Sequence, residues 1–184
     1  MMTKKLTYLS LFLALHIFLS FFYIQVSDNL RIYFTYLIVM NIAIIFPPKI
    51  ALGYAIIEDL LAFFIYPTGP FFIGYTLTAL AGMAIYLLFL NKKVTITRII
   101  LAKTSVNIFC NIILNSLWSA ILYSKGFIYY LISGSIKNII LLPIEIILFI
   151  IFYKLIYPYL VKMDLIKDDG NKKISFQSKK AQPQ

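Results

Sequence analysis

The stretch IILAKTSVNIFCNIILNSLWSAILY, residues 99–123, decides how this chain must fold. It is long and apolar enough to cross the hydrocarbon core of a bilayer, which is about 30 Å thick and takes about 20 residues of α-helix. Asn107, Asn111, Asn115 and Trp118 recur in it at intervals of four, four and three residues. Because this spacing places all four side chains on one face of an α-helix, the stretch predicts a membrane-spanning helix with a polar stripe.

The polar stripe has two interpretations. Amides and an indole inside a membrane are costly unless they meet hydrogen-bonding partners. Asparagine side chains that bind neighbouring helices would meet this need within the protein alone. A polar, planar ligand held inside a bundle would meet it as well. The stripe by itself leaves both interpretations open.

The composition indicates a membrane protein throughout. Only 13% of the 184 residues are charged and 61% are hydrophobic, whereas a soluble domain carries about 25% charged residues. The length suits one bundle and leaves no room for a separate soluble enzyme domain. We therefore expect residues 1–160 to form a transmembrane domain and residues 161–184 to form a basic cytoplasmic tail that is disordered.

Six apolar runs predict an all-α bundle of six transmembrane helices. They cover approximately residues 6–24, 32–46, 50–66, 71–90, 99–123 and 127–157. Prolines at Pro47-Pro48 and around Pro67 end helices. Period-two alternation is absent, which argues against a β-barrel. Residues 67–74 are expected to form a lid over an outward-facing cavity.

The positive charges predict the orientation of the bundle. Most of the Lys and Arg behind the net charge of +10 precede the first run, lie in alternate connections or follow the last run, and only Arg31 and Lys125 fall in the other connections. This positive-inside pattern predicts that both termini are cytoplasmic. It also argues against a nucleic-acid partner, because the basic tail suits contact with anionic lipid.

No catalytic or metal-binding constellation is present in the sequence. His16 has no companion ligands and is expected to be packed or hydrogen-bonded within the first span. Gly69 and Gly74 have the spacing of a phosphate loop, but Tyr75-Thr76 stands where Lys-Ser/Thr is required. We therefore expect no enzymatic activity, no cofactor and no metal.

Three acidic residues within the spans need partners. Glu58 and Asp59 could form a proton or cation relay, but helix capping or pairing with Arg31 or Lys137 is favoured because no further acid completes a relay. Glu145 is expected to find an internal donor where a proline kinks the last span.

Several blocks of sequence together carry a family resemblance. They are Arg31-Ile32-x-Phe34, Pro67-Thr68-Gly69-Pro70-Phe71-Phe72-x-Gly74-Tyr75-Thr76-Leu77-Thr78, Asn111-x-x-x-Asn115-x-Leu117-Trp118, Lys125-Gly126 and Lys137-Asn138-x-x-x-Leu142-Pro143-Ile144. Over residues 6–157 they resemble the folate family of S components. These are the substrate-binding membrane subunits of energy-coupling factor vitamin transporters.

The resemblance implies a subunit of the bacterial cell membrane that captures folate from outside. A transmembrane T component and two ATPase subunits would be its partners and would supply the ATP hydrolysis. The implied substrate-binding residues are Arg31, Gly69, Phe71, Phe72, Asn111, Asn115, Trp118, Lys137 and Asn138. Among them, the Asn and Trp side chains of the fifth span would hold the planar heterocycle, and Arg31 and Lys137 the glutamate carboxylates.

The resemblance and the predicted orientation together give further expectations. Ser10 and Ala14 stand where such proteins use small residues to dock on the T component. Asn107, about a turn further from the expected outer entrance, is expected to bind a neighbouring helix. Gly134 stands where the family often has Arg, which favours another small vitamin or precursor, with a pyridoxine- or pyrimidine-type ring, as an alternative cargo. A stand-alone proton-coupled carrier is the alternative from a different class.

Overall fold

The computed structural model describes residues 2–27, 30–65, 70–123, 126–168 and 170–174. Within them six helices follow in chain order: α1 Met2–Ser20, α2 Thr35–Ile45, α3 Pro48–Ile65, α4 Ile73–Leu90, α5 Ile96–Leu122 and α6 Phe127–Lys162. Between α1 and α2, β1 Tyr23–Ser27 and β2 Leu30–Tyr33 form an antiparallel hairpin. The predicted all-α class with six helices is confirmed.

Three helices of the described chain are long and apolar enough to cross a membrane: α4, α5 and α6. Shorter apolar segments lie in α1 (Lys5–Ser20) and α2 (Thr35–Ile45). The outer surface exposes many large apolar side chains, such as Phe64 and Leu88. A soluble protein would bury such side chains, so the surface suits a lipid environment. Helix α6 runs through Pro158 to Lys162, beyond the predicted end of the sixth span.

The hairpin occupies residues that the sequence analysis gave to the ends of two spans. Helix α1 ends at Ser20, and Tyr23 then pairs with Tyr33 across the two strands. Aromatic and β-branched residues flank Asp28-Asn29, two residue types that favour turns, so a hairpin is physically reasonable here. Asp28 and Asn29 themselves lie outside the described residues. The first span is therefore shorter than predicted, and a two-stranded hairpin stands between it and α2.

Helix α2 forms the centre of the core although it is the shortest predicted span. Ile38, Met40, Ile42, Ala43 and Ile44 are fully buried. The helix packs against α1, α3, α4 and α6. A helix that is apolar on nearly all sides has no face for water, and here its neighbours surround it.

The middle of α5 departs from regular α-helical geometry. Asn107–Leu114 forms a π-helix between two α-helical segments. Its i→i+5 hydrogen bonds place more residues in each turn, so later side chains are rotated relative to a regular α-helix. Asn111 still donates to Asn107, but the Trp118 indole nitrogen donates to the Thr78 hydroxyl of α4 at 2.8 Å. The prediction that all four polar side chains share one face was therefore wrong for Trp118.

The lysine-bearing connections and the C-terminal segment lie together at one end of the bundle. The Asn91 side-chain amide donates to the carbonyl oxygen of Phe46 at 2.9 Å, which joins the α4–α5 turn to the α2–α3 turn. The backbone N–H of Val94 donates to the carbonyl oxygen of Asn171 at 2.8 Å. This arrangement fits the charge pattern that predicts cytoplasmic termini.

The first part of the expected tail packs against the bundle. Leu165 and Ile166 are buried. The Tyr153 hydroxyl donates to the carbonyl oxygen of Lys172 at 2.7 Å. The predicted disorder therefore concerns residues 175–184, which lie outside the described residues.

We expect external labelling of a cysteine at position 125 but not at position 92. The test uses a Cys110→Ser background with Lys125→Cys or Lys92→Cys, an impermeant maleimide and intact cells. Lys125 lies outside the described residues, in the connection after α5, and Lys92 lies in the connection before it. Labelling at 92 with protection at 125 would reverse the predicted orientation.

Candidate binding site

A cavity of about 690 Å³ lies between α5, α6 and the start of α2. Its lining residues are Tyr33, Thr35, Tyr36, Lys103, Asn111, Asn115, Ser116, Ser119, Tyr129, Tyr130, Ser133, Gly134, Lys137, Asn138, Leu141 and Glu145. All of them except Gly134 and Leu141 carry a hydrogen-bonding side chain. The volume lies within the range of small-molecule sites. Such a polar lining inside an apolar bundle suits water or a polar ligand.

The asparagine stripe divides into a structural and a cavity-lining part. Asn107 is buried and donates from Nδ2 to the carbonyl oxygen of Asn138 at 3.1 Å. Asn111 donates from Nδ2 to the Oδ1 atom of Asn107 at 2.7 Å. Asn111 and Asn115 line the cavity, whereas Asn107 is not among its lining residues. Asn107 therefore joins α5 to α6, as predicted from its position in the stripe.

Trp118 packs against the start of α4 beside the cavity, and it is not among the residues that line it. Its ring centroid lies 5.5 Å from that of Phe72. A Cβ atom on Gly74 would lie 2.3 Å from the Phe72 ring and 2.7 Å from the Trp118 ring, so glycine is needed for this approach. The cluster gives Trp118 and Phe72 a packing role, and their contact with a ligand stays a prediction.

The other predicted site residues fall into three groups. Lys137 and Asn138 line the cavity from α6. Phe71 is half exposed and packs against Phe63, with ring centroids 5.1 Å apart. Gly69 and the side chain of Arg31 lie outside the described residues, so their predicted roles stay predictions.

Sequence reasoning missed the ion pair at the closed end of the cavity. The Lys103 ammonium lies 3.1 Å from the Glu145 carboxylate, and both side chains line the cavity. The ammonium also lies 4.2 Å from the centroid of the Tyr36 ring. The Tyr36 hydroxyl donates to the backbone carbonyl of Glu145 at 3.2 Å. The donor predicted for Glu145 is thus Lys103 of α5. The sequence feature that could have indicated this ion pair is a single lysine inside an apolar run.

Both acids of α3 have structural partners among the described residues. Glu58 lies 2.6 Å from Nε2 of His16 in α1. Asp59 accepts a hydrogen bond from the Thr76 hydroxyl of α4 at 2.6 Å. Neither acid lines the described cavity. Structural pairing is confirmed, with His16 and Thr76 as the partners. The suggested pairing with Arg31 stays a prediction, because that side chain lies outside the described residues.

The predicted docking residues lie on one exposed face of α1. Ser10 and Ala14 are both exposed, and the Ser10 hydroxyl donates to the carbonyl oxygen of Leu6 within the helix. Small side chains at these two positions leave room for a helix to approach α1 closely. This surface is accessible to a partner helix.

A bundle of apolar helices around a polar cavity is typical of integral membrane proteins that bind or transport small molecules. No family model matches the chain. It is 30% identical over 139 residues to the folate transporter FolT of Clostridium novyi (strain NT), which covers 75% of this chain and 81% of that protein. The chain belongs to the FolT family of folate transporters.

Two further similarities support this assignment. FolT of Leuconostoc mesenteroides subsp. mesenteroides is 31% identical over 152 residues, covering 78% of this chain and 81% of that protein. A crystal structure of FolT bound with folic acid superposes with a TM-score of 0.71 at 30% identity, covering 80% of this chain and 90% of that chain. These relatives are transporters, which confirms the expectation that the chain is not an enzyme.

Proposed function

We propose that this chain is the folate-binding S component of an energy-coupling factor transporter in a bacterial plasma membrane. It would capture a folate from outside and deliver it through a complex with a T component and two ATPase subunits. The observation that carries the proposal is the polar cavity between α5 and α6. Its position inside a FolT-like fold supports a folate as the cargo.

The lining offers complementary groups for the two ends of a folate. Asn111 and Asn115 can donate to and accept from the heterocycle. Lys137, two turns nearer the start of α6 than Glu145, supplies a cation for a glutamate carboxylate. In this proposal Arg31 assists Lys137, and residues 67–74 close over the ligand with Phe71 and Phe72.

An alternative cargo without a glutamate tail is favoured by one observation. Gly134 lines the cavity, and a Cβ atom there would meet Ser116 only at 3.6 Å. The position therefore supplies no cation where the family often has Arg. A pyridoxine- or pyrimidine-type compound would not need that cation.

The deciding experiment is mass spectrometry of small molecules that co-purify with the detergent-solubilised chain. Titration calorimetry of the ligand-free protein with folic acid and with pyridoxine then ranks the cargoes. Binding of folic acid alone supports the proposal. Binding of pyridoxine without folic acid would replace folate by the alternative cargo.

We expect the Ser10→Leu/Ala14→Leu variant to lose assembly with the T component while retaining folate binding. Leucine side chains would fill the shallow face of α1 that a partner helix needs. Pull-down of the partner subunits reports assembly, and calorimetry of the isolated chain reports binding. Ala84→Leu, at an exposed position of α4, is the matched control. Unchanged pull-down of the double variant would show that this face is not the docking surface.

A further inference from the structure

The closed end of the cavity presents an acid and a cation side by side. Glu145 is 12% exposed and Lys103 is 3% exposed, and both face the cavity. An ionised carboxylate can accept more hydrogen bonds than one ammonium supplies, and an ammonium has three donors. Each group therefore has hydrogen-bonding capacity beyond the ion pair itself.

We propose that Glu145 and Lys103 together recognise the 2-amino-4-oxo edge of a pterin ring. The inference rests on the proposed function and assigns the end of the cavity that holds the heterocycle. Glu145 accepts hydrogen bonds from the ring N3–H and the 2-amino group, while Lys103 donates to the 4-oxo oxygen.

The geometry fits this edge in two respects. The N3–H donor and the 4-oxo acceptor are neighbours on the ring, so their partners must also be neighbours. The 3.1 Å between the Lys103 ammonium and the Glu145 carboxylate provides such a pair. Tyr36 fixes both partners, because its ring lies under the ammonium and its hydroxyl binds the backbone of Glu145.

The position of the pair agrees with the rest of the lining. Lys103 lies two turns before Asn111 on α5, and Glu145 lies two turns after Lys137 on α6. A ligand with its pterin edge on the ion pair would place its ring beside Asn111. Its glutamate tail would extend toward Lys137 and the tyrosines of the first turn of α6.

A pair of ligands that differ at one ring position tests the inference. Aminopterin carries a 4-amino group where folic acid has the 4-oxo group, so it places a donor against the Lys103 ammonium. Its neutral ring also lacks the N3–H that Glu145 accepts in the proposed arrangement. We expect the wild-type chain to bind folic acid at least about 10-fold more tightly than aminopterin, because the site is built for an acceptor there. Quenching of the single Trp118 on titration, with calorimetry as the second readout, measures both affinities.

The double variant Lys103→Met/Glu145→Gln replaces both charged side chains by uncharged ones. Its affinities for the two compounds should therefore lie within about threefold of each other. Glu58→Gln, which removes another buried acid away from the cavity, should retain the wild-type preference. Equal binding of the two compounds by the wild type, or an unchanged preference in the double variant, would overturn the inference. Wild-type protein that binds neither compound would overturn the proposed function itself.

Discussion

Replacing Lys103 by Met lowers the free energy of unfolding by about 3–5 kcal/mol, the range measured when one partner of a buried ion pair is removed. The substitution leaves the Glu145 carboxylate without its cation in a site where that carboxylate is 12% exposed. It also removes the contact between the ammonium and the Tyr36 ring. Thermal and chemical unfolding of the detergent-solubilised chain measure the change.

Two controls separate the ion pair from a general effect of removing lysine. Lys103→Met/Glu145→Gln should recover most of the lost stability, because the unpaired charge is gone. Lys92→Met, at an exposed turn, should change the free energy of unfolding by less than about 0.5 kcal/mol. A single variant as stable as the wild type would show that water or another group supports Glu145 without Lys103.

The sequence predicted the helix boundaries where an apolar run had an independent stop signal. Pro47-Pro48 separated α2 from α3, and the Pro67–Pro70 region separated α3 from α4. The hairpin was missed because its strands are also apolar, and short apolar runs have the same composition in strands and helix ends. Pairing between Tyr23 and Tyr33 is a contact across ten residues that no local pattern specifies.

The polar stripe shows a different limit of sequence reasoning. Its first three members behave as the spacing predicts, since Asn107 binds Asn111 and Asn115 lines the cavity further along. Trp118 departs from the stripe because the π-helix changes the rotation per residue before it. Such a segment is set by packing against α4 and α6, so the four-residue spacing alone cannot reveal it.

The ion pair was missed for a related reason. Lys103 lies seven residues into α5, close to the basic connection that the positive-inside rule uses for orientation. Its partner, Glu145, is distant in sequence and adjacent only after α5 and α6 pack. A lone cation and a lone acid on successive predicted spans are therefore worth testing as a pair whenever each lacks a local partner.

Asn115→Ala is expected to weaken folic acid binding by about 5- to 150-fold, because a hydrogen bond to a buried polar ring contributes about 1–3 kcal/mol. Asn115 lines the cavity on the same face as Asn111, and the substitution leaves the contact between Asn107 and Asn138 intact. Asn111→Ala should weaken binding by a similar factor. Titration calorimetry of each variant against the wild type measures the loss.

Asn107→Ala is the matched comparison, because it removes the same amide one turn away from the lining. It should lower the melting temperature, since the carbonyl oxygen of Asn138 loses its donor, while folic acid affinity falls by less than about fivefold. In the opposite pattern, Asn115→Ala would bind folic acid like the wild type and Asn107→Ala would bind it weakly. That result would place the ligand beside Asn107 rather than beside Asn115. Removing an amide that contacts the ligand must change the affinity. An Asn115→Ala protein with wild-type affinity and reduced stability would therefore mean that the stripe serves packing.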